Sequence, residues 1–332
     1  MYLNLKPSIV MRGYKDYPYA LVDPGGQHIK GRLMKLTRMQ METIQLGTAR
    51  GVDAEDSILP AAVRHFLQKL LEIGVLEECG KAEAPTAWQN FRISKGRYTN
   101  GLLWSITGRC NLRCRHCYVT GGENKYGEPT FDECREVVRQ MREANLDSVT
   151  LGGGEPLMRR DFWQLVDLLL ENHIRISGLF TNGLLMNEAF FVEFQKRRLP
   201  FRTFNLSFDG VGCHDWLRGV PGTEEKTVEA IKLIKAHGYG VSVGMALHSG
   251  NAGSMLETYE LMKSLQVDEL RFSLVNDTGN WKQQEGHEVN IAIIYDAYLE
   301  LIKRWKKQGR PLRISMGGFF SPKEEIGYET SY

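Results

Sequence analysis

The sequence predicts an α/β protein: a partial (β/α)6 TIM barrel with a small N-terminal winged-helix-like α+β domain. Three observations carry this. From Leu102 on, short apolar stretches alternate six times with longer amphipathic ones, the pattern of a parallel sheet with right-handed crossovers. Six units fall short of a closed eight-stranded barrel, so the barrel is expected to be open. The first 80 residues follow a different rhythm, and 332 residues leave room for one small and one large domain.

In the first domain, residues 1–80, SIVMRG and YALVDPGG read as short strands around a Pro-Gly-Gly turn. A helix is expected from Thr37 to Leu46. A second runs from Pro60 to Ile73, with Val63, Phe66, Leu67, Leu70 and Leu71 at helical spacing. A GVLEE strand closes the unit. Residues 81–100 lack periodicity and read as a linker. The barrel takes 101–320. Its strands are LLWSIT, SVTLGG, IRISGLF, TFNLSF, GVSVGMAL and DELRFSLV, each followed by a helical pattern. Residues 321–332 are left as a tail.

Composition excludes several classes. The chain is 42% hydrophobic and 25% charged, with a net charge of +2. So balanced a charge argues against a protein held to nucleic acid by phosphate contacts. No stretch has the run of about 18 apolar residues of a membrane helix. The N-terminus lacks the three regions of a signal peptide. A cytoplasmic location is therefore expected, where thiols stay reduced and clustered cysteines point to a metal or redox site.

Such a cluster follows the first barrel strand. GRCNLRCRHCYVTGG holds Cys110, Cys114 and Cys117 with C-x3-C-x2-C spacing. Structural zinc wants four ligands in a closed tetrahedron. His116 adjoins Cys117 and is poorly set to reach the same ion. A four-iron cluster offers another solution, with three thiolates on three irons and one iron left open. A zinc knuckle and chance clustering are the alternatives.

CNLRCRHC resembles the signature of the radical S-adenosylmethionine (SAM) superfamily. The resemblance implies a [4Fe–4S] cluster on the three cysteines, with SAM chelating the fourth iron. His116 stands where the family is usually aromatic. The second barrel strand ends in LGGGEPLMR, similar to the family's glycine-glycine-glutamate motif. By that resemblance Gly153, Gly154 and Glu155 accept hydrogen bonds from the SAM ammonium, and Pro156 stiffens the turn. The third strand ends in FTNG and the fourth in LSFDG. Both resemble family positions that touch SAM, which makes Thr181, Asn182, Ser207 and Asp209 cofactor-binding candidates. A hydroxyl and a carboxylate suit ribose hydroxyls, although Asn-Gly and Asp-Gly are also ordinary turn pairs. The fifth strand ends at His248, a loop histidine without an assigned role.

Three cysteines remain. Cys134 follows a Thr130-x-x-Glu133 capping pattern and shares helical phase with Val137, Val138 and Met141, so it reads as core. Cys79 reads as a structural or surface thiol. Cys213 lies on the loop after the fourth strand. It is the candidate catalytic thiol, to return a hydrogen atom to a substrate radical or to join a second cluster. The plain alternative is an ordinary loop cysteine. Arg218, on the same loop, would bind a carboxylate or anchor the loop. No cysteine follows Cys213, so one cluster is expected.

Residues 1–80 resemble the small leader-recognition domain of enzymes that process ribosomally made peptides, related to the pyrroloquinoline-quinone biosynthesis D protein. The features are the strand pair with DPGG, the helix after Leu36-Thr37 and the FLQKLLEIGVLEE ending. The resemblance implies a precursor peptide as partner, bound by β-augmentation, and an electron donor such as flavodoxin or ferredoxin. The product would be a crosslink, a thioether or an inverted stereocentre. A DNA-binding winged helix needs a basic face, yet this segment has ten Lys and Arg against nine Asp and Glu. Two alternatives stand beside the maturase. One is a radical SAM enzyme of small-molecule or cofactor biosynthesis. The other is a non-catalytic iron–sulfur regulator that binds DNA.

Overall fold

The computed structural model describes residues 2–23, 28–30, 32–50, 59–81, 83–86, 89–99, 101–197, 199, 203–284 and 289–317. The expected Pro-Gly-Gly turn and the 321–332 tail lie outside them. Two compact units emerge. One takes residues up to 103 with 131–150 and 165–177; the other takes 104–130, 151–164 and the chain from 178.

The N-terminal elements are β1 (Tyr2–Leu5), β2 (Val10–Gly13), β3 (Ala20–Val22), β4 (Leu33–Lys35), α1 (Arg38–Arg50), α2 (Ala61–Glu72), β5 (Leu76–Cys79) and β6 (Arg92–Ile93). β1 pairs antiparallel with β5. The others form a sheet ordered β4-β3-β2-β6. α1 starts at a capping box. Thr37 N donates to Gln40 Oε1 at 2.9 Å, and Gln40 N donates back to Thr37 Oγ1 at 3.2 Å. α2 buries Leu67 and Leu70 in a core with Met11, Leu21, Met41 and Ile44. The sequence reading misses β1 and β4, both too short to show a period.

The linker reading of 81–100 needs correction. Residues 92–93 form β6, parallel to β2. Gln89 is buried and its amide donates to the carbonyls of Lys6 at 2.9 Å and Ile9 at 3.1 Å. Asn4 Oδ1 also accepts from Glu83 N at 3.0 Å, so polar contacts hold much of this segment and leave little periodicity to read.

Arg12, on β2, is fully buried. Its Nε donates to Asp147 Oδ1 at 2.8 Å, and its Nη1 donates to the carbonyls of Met11 and Asn90. The Tyr14 hydroxyl lies 3.3 Å from Asp147 Oδ2. Burial, then the Asp147 charge, pushes that hydroxyl far above its usual range.

The remaining elements are β7 (Leu102–Ser105), α3 (Phe131–Glu143), β8 (Ser148–Gly152), α4 (Phe162–Glu171), β9 (Arg175–Thr181), α5 (Glu188–Lys196), β10 (Thr203–Ser207), α6 (His214–Arg218), α7 (Thr223–Ala236), β11 (Gly240–Leu247), α8 (Met255–Ser264), β12 (Glu269–Leu274), α9 (Ile291–Lys307) and β13 (Arg313–Met316). The seven strands β7 to β13 lie in sequence order, and β9 to β13 pair parallel. The α/β reading and its six βα units hold. The sequence reading lacks β13, whose four residues bury only Met316, and the one-turn helix α6. No described helix is long and apolar enough to cross a membrane.

Removing one member of a buried ion pair costs about 3–5 kcal/mol. Asp147→Ala should therefore lower the urea midpoint of unfolding by that free energy. A double Arg12→Met, Asp147→Leu variant should recover much of it. An unchanged midpoint in Asp147→Ala would show that Arg12 finds other partners.

Candidate functional site

Cys110, Cys114 and Cys117 sit on the connection between β7 and α3, which carries only a single turn of 3-10 helix at Gly121–Glu123. All three are free thiols. Cys114 and Cys117 lie near enough to disfavour ionisation of Cys110, and Cys117 that of Cys114. Burial pushes Cys110 up to about 11. Burial also raises Cys114, against the pull of Arg218.

Each sulfur accepts one hydrogen bond from the chain. Leu112 N donates to Cys110 at 3.4 Å, Gly121 N to Cys117 at 3.3 Å, and Arg218 Nη1 to Cys114 at 3.6 Å. Such donors favour thiolate over thiol. Among the described residues, no three His, Cys, Asp or Glu side chains converge as one metal ion requires. Zinc would need its donors about 2.3 Å from one point. On a four-iron cluster each of three thiols reaches its own iron and need not meet the others at one point.

The loop is held mostly through its backbone. Gly154 N donates to Thr107 O at 2.9 Å and Glu155 N to Arg109 O at 2.7 Å. Arg113 N and Arg115 N donate to the carbonyls of Arg218 and Leu217 at the end of α6. Asn280 N donates to Cys117 O at 3.0 Å, and its amide to Cys114 O at 3.1 Å. Arg159 is buried, and its Nη1 donates to Ile106 O at 2.8 Å and Pro129 O at 2.9 Å. One guanidinium thus ties the two ends of the cysteine loop together. Close approach explains a glycine here. A Cβ at Gly154 would lie 2.2 Å from Arg109 O, inside any allowed contact.

Glu155 is engaged within the protein. It is fully buried, and its carboxylate accepts from Leu157 N at 3.1 Å, Thr181 Oγ1 at 2.8 Å and Asn182 N at 2.8 Å. It braces the end of β8 against the end of β9. Burial pushes its carboxyl up to about 7, although those three hydrogen bonds pull the other way. Thr181 is committed to the same brace. The Asn182 amide donates to Asn111 Oδ1 at 2.7 Å, so it holds the cysteine loop. Ser207 ends β10 half-buried.

Asp209 is likewise engaged within the protein. It is fully buried, accepting from Ala246 N at 3.0 Å and ion-paired to Arg218 Nε at 2.6 Å. No carboxylate oxygen is exposed for a ribose. Burial would raise its carboxyl, but Arg218 and His214 hold it well below the usual range. Arg218 thereby anchors its loop and faces Cys114 at once. His116 is half-buried; burial and the Arg218 charge push it down to about 4. Cys134 is buried in α3. Cys213 precedes α6, half-buried; burial raises its thiol, and a bond to the Ser254 hydroxyl opposes this. That bond faces the β11–α8 connection.

Arg159 and Asn280 escape the sequence reading. Arg159 lies four residues beyond Glu155, in LMRRD, where a charged residue looks like a solvated one. Asn280 lies in a loop without a motif.

A parallel β/α barrel fragment with three free thiols on its first loop defines an iron–sulfur enzyme scaffold with one metal position left without a cysteine. Residues 104–262 match the Radical SAM superfamily, and the chain carries a radical SAM enzyme domain. The cofactors of that superfamily are a [4Fe–4S] cluster and SAM. Pre-heme d1 synthase of Dinoroseobacter shibae is 28% identical over 68% of this chain and 57% of its own length. Mycofactocin maturase MftC of Mycobacterium tuberculosis is 28% identical over 54% of this chain and 45% of its own. The chain spans about half the length of these curated relatives. Streptococcus suis SuiB, solved with its precursor peptide SuiA, matches with a TM-score of 0.64 at 15% identity. That match covers 95% of this chain and 73% of SuiB, and it shows a shared fold.

Arg159→Met should leave the carbonyls of Ile106 and Pro129 unpaired, at about 1–3 kcal/mol each. After anaerobic reconstitution, iron should pass to a chelator at least ten-fold faster than in the wild type. Arg159→Lys should be intermediate. Equal release rates would limit Arg159 to a general stabilising role.

Proposed function

We propose that this chain is a radical SAM peptide maturase that removes a hydrogen atom from a ribosomally made peptide. The cysteine loop carries the reading: three free thiols, each accepting one hydrogen bond, beside a glycine-rich strand end. Cys110, Cys114 and Cys117 would hold the cluster, with SAM bound beside them. When bound and reduced by a donor such as flavodoxin or ferredoxin, the cluster and SAM supply a 5′-deoxyadenosyl radical.

The chain's own residues bind and orient. The backbone of Gly153 and Gly154 receives the methionyl ammonium. Ser207 offers its hydroxyl to the ribose. Arg218, held by Asp209, keeps a positive charge beside Cys114. Glu155, Thr181, Asn182 and Asp209 act as positioning residues, through strand ends and through Asn111. Cys213 is the thiol available to return a hydrogen atom where the product is an inverted stereocentre; a crosslink or thioether requires no such donor.

The N-terminal strands recognise the peptide leader. β4 is an edge of its described sheet, and an extended peptide adds to such an edge as a further strand. Two findings support a peptide: one relative is a maturase by name, and the SuiB likeness extends over 95% of the chain. A second reading has support in the name of the first relative, a pre-heme d1 synthase. It replaces the peptide by a cofactor precursor.

Anaerobically reconstituted protein should hold about four irons per chain and form 5′-deoxyadenosine from SAM and dithionite. Cys114→Ala should reduce that product to background. No product from the wild type, or a wild-type rate in the variant, refutes the assignment. Binding of peptides from small reading frames beside the gene, measured on the full chain, separates the two readings. The maturase requires one that binds.

A further inference from the structure

His248 follows β11 and is 8% exposed. Gly250 N donates to its Nδ1 at 3.1 Å. A nitrogen that accepts an N–H carries no proton, so the neutral ring bears its hydrogen on Nε2. Burial lowers the pKa of this ring, which agrees with the neutral form. Nε2 is sealed from solvent and has no hydrogen-bond partner among the described residues. Buried donors are almost always paired in folded proteins.

The surroundings say where a partner comes from. The imidazole lies between two indoles, with Trp216 at 5.4 Å and Trp281 at 5.1 Å between ring centroids. Trp281 is buried, whereas Trp216 is 48% exposed. Arg115, between two cluster cysteines, stacks its guanidinium 4.7 Å from the Trp216 ring. The column runs from the cysteine loop, through a half-exposed indole, to an unpaired N–H at a strand C-terminal end. That end is where β/α barrels bind their substrates. It is three strands away from β8, which carries the glycines assigned to SAM, and next to β10, which carries Ser207.

We propose that His248 is a substrate-binding residue whose Nε2–H donates to an acyl oxygen, carboxylate or amide carbonyl, of the molecule processed at the barrel mouth, with Trp216 packing beside it. This rests on reading the chain as a radical SAM enzyme. SAM also has a carboxylate, so the test separates the two sources.

The experiment uses the full chain with its cluster reconstituted. The probes are SAM alone, and radiolabelled N-acetylglycine in the presence of saturating SAM, both by equilibrium dialysis. N-acetylglycine carries a carboxylate and an amide carbonyl. The wild type should bind it at millimolar concentration. His248→Phe should weaken that binding roughly ten-fold, the size of one lost hydrogen bond, with SAM affinity retained. His248→Gln, whose amide keeps a donor near the same position, should restore most of it. Iron content and SAM binding report folding of each variant. No binding by the wild type, equal binding by His248→Phe, or no rescue by His248→Gln overturns the proposal. So does a loss confined to SAM, which would assign the donor to the cofactor. Failure of the wild type to cleave SAM would instead remove the enzymatic reading and leave the binding result standing.

Discussion

The rest of the site depends on one constraint: a long loop without strand or α-helix must pair its backbone polar groups. A helix or strand does this internally. The cysteine loop exports the task to its neighbours. Gly154 and Glu155 N–H groups meet its first carbonyls, the α6 carbonyls meet its Arg113 and Arg115 N–H groups, and Asn280 meets the carbonyls of Cys114 and Cys117. Unpaired buried groups are costly, so each partner helps fix the path on which the thiols sit. Thiol placement is therefore set by residues from β8, α6 and the β12–α9 connection.

The same constraint explains the polar residues buried around the loop. Glu155 and Asp209 sit at equivalent places, just past the ends of β8 and β10, alternate strands of one sheet, and both are fully buried. Glu155 collects three donors and joins two strand ends. Asp209 takes Ala246 N and the Arg218 guanidinium. Arg218 then faces Cys114 with its charge already balanced. A carboxylate–guanidinium pair can be buried where either ion alone would be strongly penalised. Positive charge is thus kept next to a sulfur that must become thiolate.

Legibility in the sequence followed range. The six βα units were visible because burial on a sheet imposes a local period. The thiol triad was visible because its members lie within eight residues. Glu155 and Asp209 stand out as special positions, but their partners within the chain do not, since a motif does not say which way a side chain turns. Arg159, Asn280 and the buried Gln89 were missed. The carbonyls they hold in the loop and strand ends lie 30 or more residues away, and nothing near them in the chain marks that pairing. β13 was missed because only one of its four residues is buried.

The sequence alone determined the α/β alternation, the C-x3-C-x2-C donor set and the glycine-rich strand end, because each is a matter of residue type at short spacing. The tertiary structure decided what those residues do around the thiols. It closed Asp209 onto Arg218, turned Glu155 into a brace and set Arg159 across both ends of the loop. It also left the Nε2–H of His248, beside two tryptophans, without a hydrogen-bond partner among the described residues. Hydrogen-bond partners across strands are chosen by distance and direction in space, and no local pattern of residue types encodes either.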